Sequence, residues 1–285
     1  MIISIASGKG GTGKTTVATN LAITVEKSVQ LLDCDVEEPN AHLFIRPEFE
    51  HKELVTVSVP EIDEKKCTYC EKCSELCQFK AIAVIKDTTI LTFPELCHSC
   101  GGCWEVCPED AITKGKRDIG IIESGNRGEL EFIHGRLRVG EAMAPPLIKK
   151  VRSYTHPDKE TIIDAPPGTS CPVIESMRDT DFVLLVTEPT PFGLHDLKLA
   201  FEAVKTLKIP AGLVINRMGL GDDRVREYAN EVGLPFLMGI PFDRKIAEAY
   251  STGEMIVDTL PEYREKFMKL YQRIADIVEK TELSE

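Results

Sequence analysis

The chain has 285 residues, with 34 basic against 46 acidic side chains and a net charge of −12. That balance disfavours a nucleic-acid backbone or anionic lipid as the main partner, because both repel an acidic surface. No purely apolar run is longer than Phe182–Val186, far short of the ~20 residues of a membrane span. Met1–Ser7 has no basic stretch of the kind that opens a signal peptide. A cytoplasmic protein with no nucleic-acid partner and no stable membrane insertion is expected.

Met1–Ala6 reads as a buried strand, followed by a glycine-rich turn and a helix from Lys14 to Glu26. Val29–Asp33 is a second strand ending in acids. Further strands are expected at Ile119–Glu123, Thr161–Asp164, Phe182–Thr187, Ala211–Asn216 and Phe236–Ile240. Helical patterns fall between them, at Pro146–Tyr154, Pro172–Arg178, Leu194–Lys208, Asp222–Glu231 and Glu262–Lys280. Short apolar strands alternating with helices predict an α/β fold, a doubly wound and mostly parallel sheet covered on both faces. In the last helix, Phe267, Leu270, Tyr271, Ile274, Ile277 and Val278 recur at helical spacing. Its acidic end, Glu279 to Glu285, argues for packing on the sheet rather than for a membrane-surface helix.

The segment 60–116 breaks this rhythm and carries its own repeat. Cys67, Cys70, Cys73 and Cys77 recur 30 residues later as Cys97, Cys100, Cys103 and Cys107, and Ala81-Ile82 recurs as Ala111-Ile112. A small two-fold domain, 60–116, is expected inside a discontinuous domain of 1–59 and 117–285. Six glycines between Gly115 and Gly140 suggest a flexible connector.

Eight of the ten cysteines lie in that segment, and in a reducing compartment such a cluster points to metal before disulfides. The spacing C-x₂-C-x₂-C-x₃-C, present twice, is the bacterial ferredoxin pattern, in which the fourth ligand comes from the other half. Cys67, Cys70, Cys73 and Cys107 are thus assigned to one [4Fe–4S] cluster. Cys97, Cys100, Cys103 and Cys77 are assigned to the other. Structural zinc prefers paired Cys-x₂-Cys units. Gln78 stands where proline often follows the fourth cysteine, as Pro108 does in the second half. His98 lies within a cluster loop and is expected to be exposed. Cys34 and Cys171 stand apart and read as small buried apolar side chains.

Gly8-Lys9-Gly10-Gly11-Thr12-Gly13-Lys14-Thr15-Thr16 fits G-x-x-x-x-G-K-[ST] between a strand and a helix. Its backbone N–H groups can surround phosphate oxygens at the positive helix terminus. Lys14 would reach the β- and γ-phosphates and Thr15 would ligate Mg²⁺. With Lys9 included, the run resembles the deviant Walker A motif of the MinD/ParA/nitrogenase-iron-protein ATPases, a group that includes the Mrp-type proteins. The resemblance spans residues 1–60 and 117–285. It implies that Lys9 crosses a homodimer interface to the partner's nucleotide when ATP is bound. It also implies that Asp35 orients the attacking water, with Asp33 near the metal shell. Thr161–Gly168 is similar to the strand and second switch of that family, so Asp164 would hold Mg²⁺ through water and the Gly168 backbone would sense the γ-phosphate. Asn216-Arg217 resembles the adenine-reading position, and Pro241-Phe242-Asp243 the later nucleotide-flanking one. Pro39 departs from the usual acidic or amide residue after the catalytic Asp, and Asn40 follows it.

These features together predict an ATPase binding ATP, Mg²⁺ and two [4Fe–4S] clusters. The leading expectation is nucleotide-gated electron transfer to a redox partner. The alternatives are iron–sulfur cluster assembly or carriage, and a redox-sensing regulatory switch.

Overall fold

A computed structural model describes residues 1–25 and 27–283. Glu26, where the first expected helix ends, and Ser284 and Glu285 lie outside the described residues. In chain order the first elements are β1 (Ile2–Ala6), α1 (Lys14–Thr24), β2 (Val29–Asp33), α2 (His42–Ile45) and β3 (Glu48–Ile62). Next come α3 (Lys72–Leu76), β4 (Ile82–Ile85), β5 (Thr89–Thr92), α4 (Gly102–Glu105), β6 (Ile112–Arg127) and β7 (Leu130–Leu137). Then follow α5 (Pro145–Arg152), β8 (Glu160–Asp164), α6 (Cys171–Met177), β9 (Phe182–Thr187), α7 (Pro191–Leu207) and β10 (Ala211–Met218). The last are α8 (Arg224–Glu231), β11 (Phe236–Pro241), α9 (Arg244–Ser251), α10 (Ile256–Thr259) and α11 (Glu262–Glu282).

The chain divides into two compact units, one of Met1–Glu53, Ile122–Arg136 and Ile148–Glu285, the other of Leu54–Ile121 and Leu137–Leu147. The sheet runs in the order β11-β10-β9-β1-β8-β2-β7-β6-β3. From β11 to β7 every neighbouring pair is parallel. Strands buried on both faces need apolar residues throughout, and β9, Phe-Val-Leu-Leu-Val-Thr, is buried along its whole length. Its side chains alternate between two cores. Phe182, Leu184 and Val186 join Ile3, Ile5, Leu21 of α1 and Phe267 of α11 on one face. Val183 and Leu185 join Val173 of α6 and Leu197 of α7 on the other. The apolar stripe of α11, including Leu270, Tyr271, Ile274 and Val278, is buried in the first of these cores. Among the described residues no helix is long and apolar enough to cross a membrane.

The glycine-rich stretch 115–140 is not a connector. It folds as β6 and β7, adjacent in the sheet, and the two-residue link at Gly128-Glu129 turns one directly into the other. Gly128 takes φ +59° there, open to solvent. The long strand β3 also went unanticipated, because most of its outer half, Glu48–Lys52, is exposed and polar and carries little apolar signal.

In the second unit β4 and β5 form an antiparallel hairpin. The sequence repeat is visible in the backbone. Left-handed residues recur 30 positions apart: Tyr69 and Ser99 (both φ 54°), Glu71 and Gly101, Lys80 and Asp110. The cysteines are part of the packing, Cys73 with Ile82, Ile90 and Ile112, and Cys97 with Val59 and Ala81. A buried Arg117–Glu141 ion pair ties the 137–147 segment to β6 within this unit.

Candidate nucleotide site and cysteine cavities

The ends of β1, β2, β8, β9 and β10 all point to one edge of the parallel sheet, the usual place for a ligand in an open α/β fold. The phosphate loop leaves β1 there. Gly11 and Gly13 adopt φ +78° and +97°, which turns successive N–H groups inward. Gly13 is obligatory for a second reason: a Cβ would lie 2.3 Å from Nδ2 of Asn216. At Gly8 a Cβ would meet the backbone oxygen of Asp196 at 2.2 Å. The loop is pinned from outside. Asn216 Nδ2 donates to the Thr12 carbonyl at 2.8 Å, the Ser7 hydroxyl donates to the Lys9 carbonyl at 2.6 Å, and Gly168 N–H donates to the Ser7 carbonyl at 3.0 Å. Gly168 itself has φ +102° with open space beside it.

Strand register places Asp33 opposite Asp164, and four charges meet around them. Lys14 is buried, and burial lowers its pKa against the pull of Asp164, Asp35 and Asp33. Asp164 is buried with both carboxylate oxygens unpaired. Burial raises its pKa to about 7, with Lys14 and the nearby Thr15 hydroxyl opposing the rise, although that hydroxyl completes no well-formed hydrogen bond to it. Asp35 is raised to about 6, chiefly by burial, while Lys14 pulls it down and Glu38 and Glu37 push it up. Three carboxylates against one ammonium, with two orphaned oxygens, is a donor set suited to a divalent cation beside Thr15. Asp33, expected near the metal shell, also has a structural task. Its two oxygens accept from the backbone N–H of Asp35 and of Ala41, each at 3.1 Å, so it fastens the loop that carries Asp35. Thr16 sits in the first turn of α1, where its carbonyl accepts from Asn20 Nδ2 at 2.7 Å.

Asn216 and Arg217 close the site at β10. Asn216 Oδ1 accepts from the Arg217 N–H, so both ends of this amide are engaged without ligand. Pro241 ends β11 in register with Met218. Asp243 accepts from Lys245 N–H at 2.7 Å and caps α9. Lys9 pairs with Glu188 at 3.4 Å, and Arg217 pairs with the other oxygen of the same carboxylate at 2.5 Å. Glu188 escaped the sequence reading. Its only signal there was an acidic residue one position beyond an apolar strand.

In the second unit the eight thiols divide between two cavities. Cys67, Cys70, Cys73 and Cys107 line one. Cys77, Cys97, Cys100 and Cys103 line another, whose wall also includes Cys73. All ten cysteines of the chain are free. Backbone N–H groups donate to sulfur in matched pairs: Tyr69 to Cys67 and Ser99 to Cys97 at 3.4 Å, Ala81 to Cys77 and Ala111 to Cys107 at 3.3 Å. Among the described residues no three His, Cys, Asp or Glu side chains are grouped to hold a single metal ion. Four thiols lining one cavity, with N–H···S donors, fit a cluster better than one zinc ion. Burial pushes the free Cys103 thiol up to about 11, so ligation there has to displace a tightly held proton. His98 is exposed and stacks on Phe79, ring centres 3.5 Å apart. Cys34 is buried. Cys171, expected to be buried, is exposed at the start of α6, because the loop leaving β8 carries it out of the core.

The family model described as the CobQ/CobB/MinD/ParA nucleotide binding domain matches residues 3–256. The chain belongs to this family. An uncharacterized protein of Methanocaldococcus jannaschii is 32% identical over 286 residues, covering 98% of this chain and 98% of its own. An iron-sulfur cluster carrier protein of Aquifex aeolicus is 26% identical over 305 residues, covering 98% of this chain and 68% of its own. Among solved structures, the septum site-determining protein MinD of Pyrococcus horikoshii, complexed with Mg-ADP, superposes with a TM-score of 0.58 at 22% identity, over 96% of this chain and 95% of that one. The CobQ/CobB/MinD/ParA match runs from β1 into α10, so it begins before the phosphate loop and extends past Asp243.

Proposed function

We propose that this chain is a Mg²⁺-dependent ATPase that handles iron–sulfur clusters, and that it acts as a cluster carrier or assembly protein. The observation that carries the reading is the division of eight thiols into two four-cysteine cavities in a chain that also bears a complete phosphate loop. The name of the Aquifex aeolicus relative supports carriage over the electron transfer expected first. In this reading the ferredoxin-like segment is the 60–116 insertion, widened to the compact unit of 54–121 and 137–147.

The residues divide the work as follows. The loop Gly8–Thr16 wraps the phosphates and Lys14 neutralises them. Thr15 and Asp164, with Asp35 nearby, would hold Mg²⁺, which supplies charge neutralisation at the transferring phosphoryl group. Asp35, half-buried and held by the Asp33-anchored loop, orients water and takes its proton. The Gly168 N–H, given up by Ser7, would turn to the γ-phosphate. Asn216, Arg217, Pro241 and Asp243 flank the base. Two copies associate on ATP, each Lys9 reaching the other's nucleotide. Cys67, Cys70, Cys73 and Cys107 would hold one [4Fe–4S] cluster and Cys97, Cys100, Cys103 and Cys77 the second, groups that supply transferable iron–sulfur units and one-electron capacity.

Electron transfer to a protein partner remains a second reading. It is favoured by the enclosure of the thiols, since only Cys70 and Cys100 of the eight are exposed. Incubation of the anaerobically reconstituted protein with an apo-ferredoxin, and of the pre-reduced protein with an oxidised holo-ferredoxin, each with ATP or ADP, separates the two. Nucleotide-dependent appearance of cluster on the acceptor supports carriage. Retention of all iron, with ATP altering only the rate of acceptor reduction, supports electron transfer. Identical cluster and electron transfer in ATP, ADP and no nucleotide would refute coupling in either form.

A further inference from the structure

We propose that Glu188 is a positioning residue that holds Lys9 within its own subunit until a partner's nucleotide draws it away. The proposal rests on the ATP-dependent dimer inferred above. Glu188 is 7% exposed and sits at the end of β9, next to the phosphate loop. Its carboxylate has two cations, Lys9 on one oxygen and Arg217 on the other. A buried carboxylate left alone is costly, so a residue that must lose a partner needs a second one. Arg217 supplies it. Lys9 can therefore leave without stranding a charge, and its side chain is one-third exposed in the paired state.

The geometry also limits where Lys9 points at rest. The Ser7 hydroxyl fixes its carbonyl and Glu188 fixes its ammonium, so the side chain is turned toward its own β9. In a two-fold dimer the exchange is reciprocal: each subunit breaks one Lys9–Glu188 pair and receives one lysine at its nucleotide. A partly exposed ion pair holds a lysine by a factor of roughly three. A dimer breaks two, so releasing the hold should strengthen association about tenfold. The ligand moves the equilibrium only by its different affinity for the two states, and the Glu188 pair is a part of that difference that ATP must overcome.

The test uses the full chain in an Asp35→Ala background, where bound ATP persists, with sedimentation across a protein concentration series. Glu188→Gln is expected to lower the concentration for half-association about tenfold, with ATP affinity of the monomer unchanged. Glu188→Asp, which keeps the charge, should return most of the way to the parent. In a Lys9→Ala background the Glu188→Gln effect should vanish. An effect that persists without Lys9 would make Glu188 a brace for Arg217 only, and would overturn the proposal. Association by the parent that Glu188→Gln leaves unchanged refutes the hold alone. A parent that never associates with ATP refutes the dimer itself, and with it any purpose for the hold.

Discussion

Asp164→Asn should stabilise the nucleotide-free protein at alkaline pH while abolishing its response to Mg²⁺ and nucleotide. Asp164 is buried, neither oxygen is paired, and burial lifts its pKa from 3.8 to about 7. A carboxyl group with a raised folded pKa keeps its proton in the folded state after the unfolded chain has lost it. Its contribution to stability is therefore greatest at acid pH, declines as pH rises from about 4 to 7, and is flat above that. Three pKa units at about 1.4 kcal/mol each set a ceiling of about 4 kcal/mol. A buried unpaired amide still costs about 1–3 kcal/mol, so the net gain from the substitution at pH 8 is about 2 kcal/mol. For a chain of this size that is a rise in Tm of about 5 °C. At pH 5 the wild-type carboxyl is already neutral and the gain should disappear. The assay is thermal unfolding in EDTA at pH 5 and pH 8, followed by far-UV circular dichroism. Mg-ATP should then raise the Tm of the wild type and leave that of Asp164→Asn almost unmoved. Equal effects at the two pH values, or a less stable variant at pH 8, would refute the picture of an uncompensated carboxylate awaiting a cation.

Lys14→Ala should weaken both nucleotide binding and turnover, on the order of a hundredfold in turnover, as measured by fluorescent-nucleotide titration and phosphate release. Asp35→Ala should bind ATP nearly as well as wild type and hydrolyse it at least about a hundredfold more slowly; wild-type turnover would remove Asp35 from the water-orienting role. Asp33→Asn leaves the Asp35 and Ala41 N–H groups with one good acceptor between them, so hydrogen exchange over 35–41 should speed up without loss of the Mg²⁺ response. Anaerobic protein should carry about eight irons per chain, from two four-iron clusters. Cys107→Ser should destroy the cluster built on Cys67, Cys70 and Cys73 while sparing the other. Two zinc ions and no reducible chromophore would contradict the cluster assignment.

The parts of this protein legible in its sequence are those whose chemistry is local. A phosphate loop needs glycines and a lysine within nine consecutive positions, because successive N–H groups of one turn do the binding. Thiol triplets around a cluster need a fixed short spacing for the same reason. The buried strands β1, β2, β8 and β9 were visible because burial on both faces leaves a short, mostly apolar run. Strand β3 and the β6–β7 pair were not, since strands of mixed polarity and many glycines are stabilised by their neighbours in the sheet and not by their own composition. The same limit governs the site. That Asn216 would lock against Gly13 and that Lys9 and Arg217 would share Glu188 follow from strand order. The sheet places β9 beside β1 and β10, bringing together residues that are remote along the chain. Ion pairs and buried hydrogen bonds between distant segments exist only once packing has excluded water around them, and no short stretch of sequence carries that information.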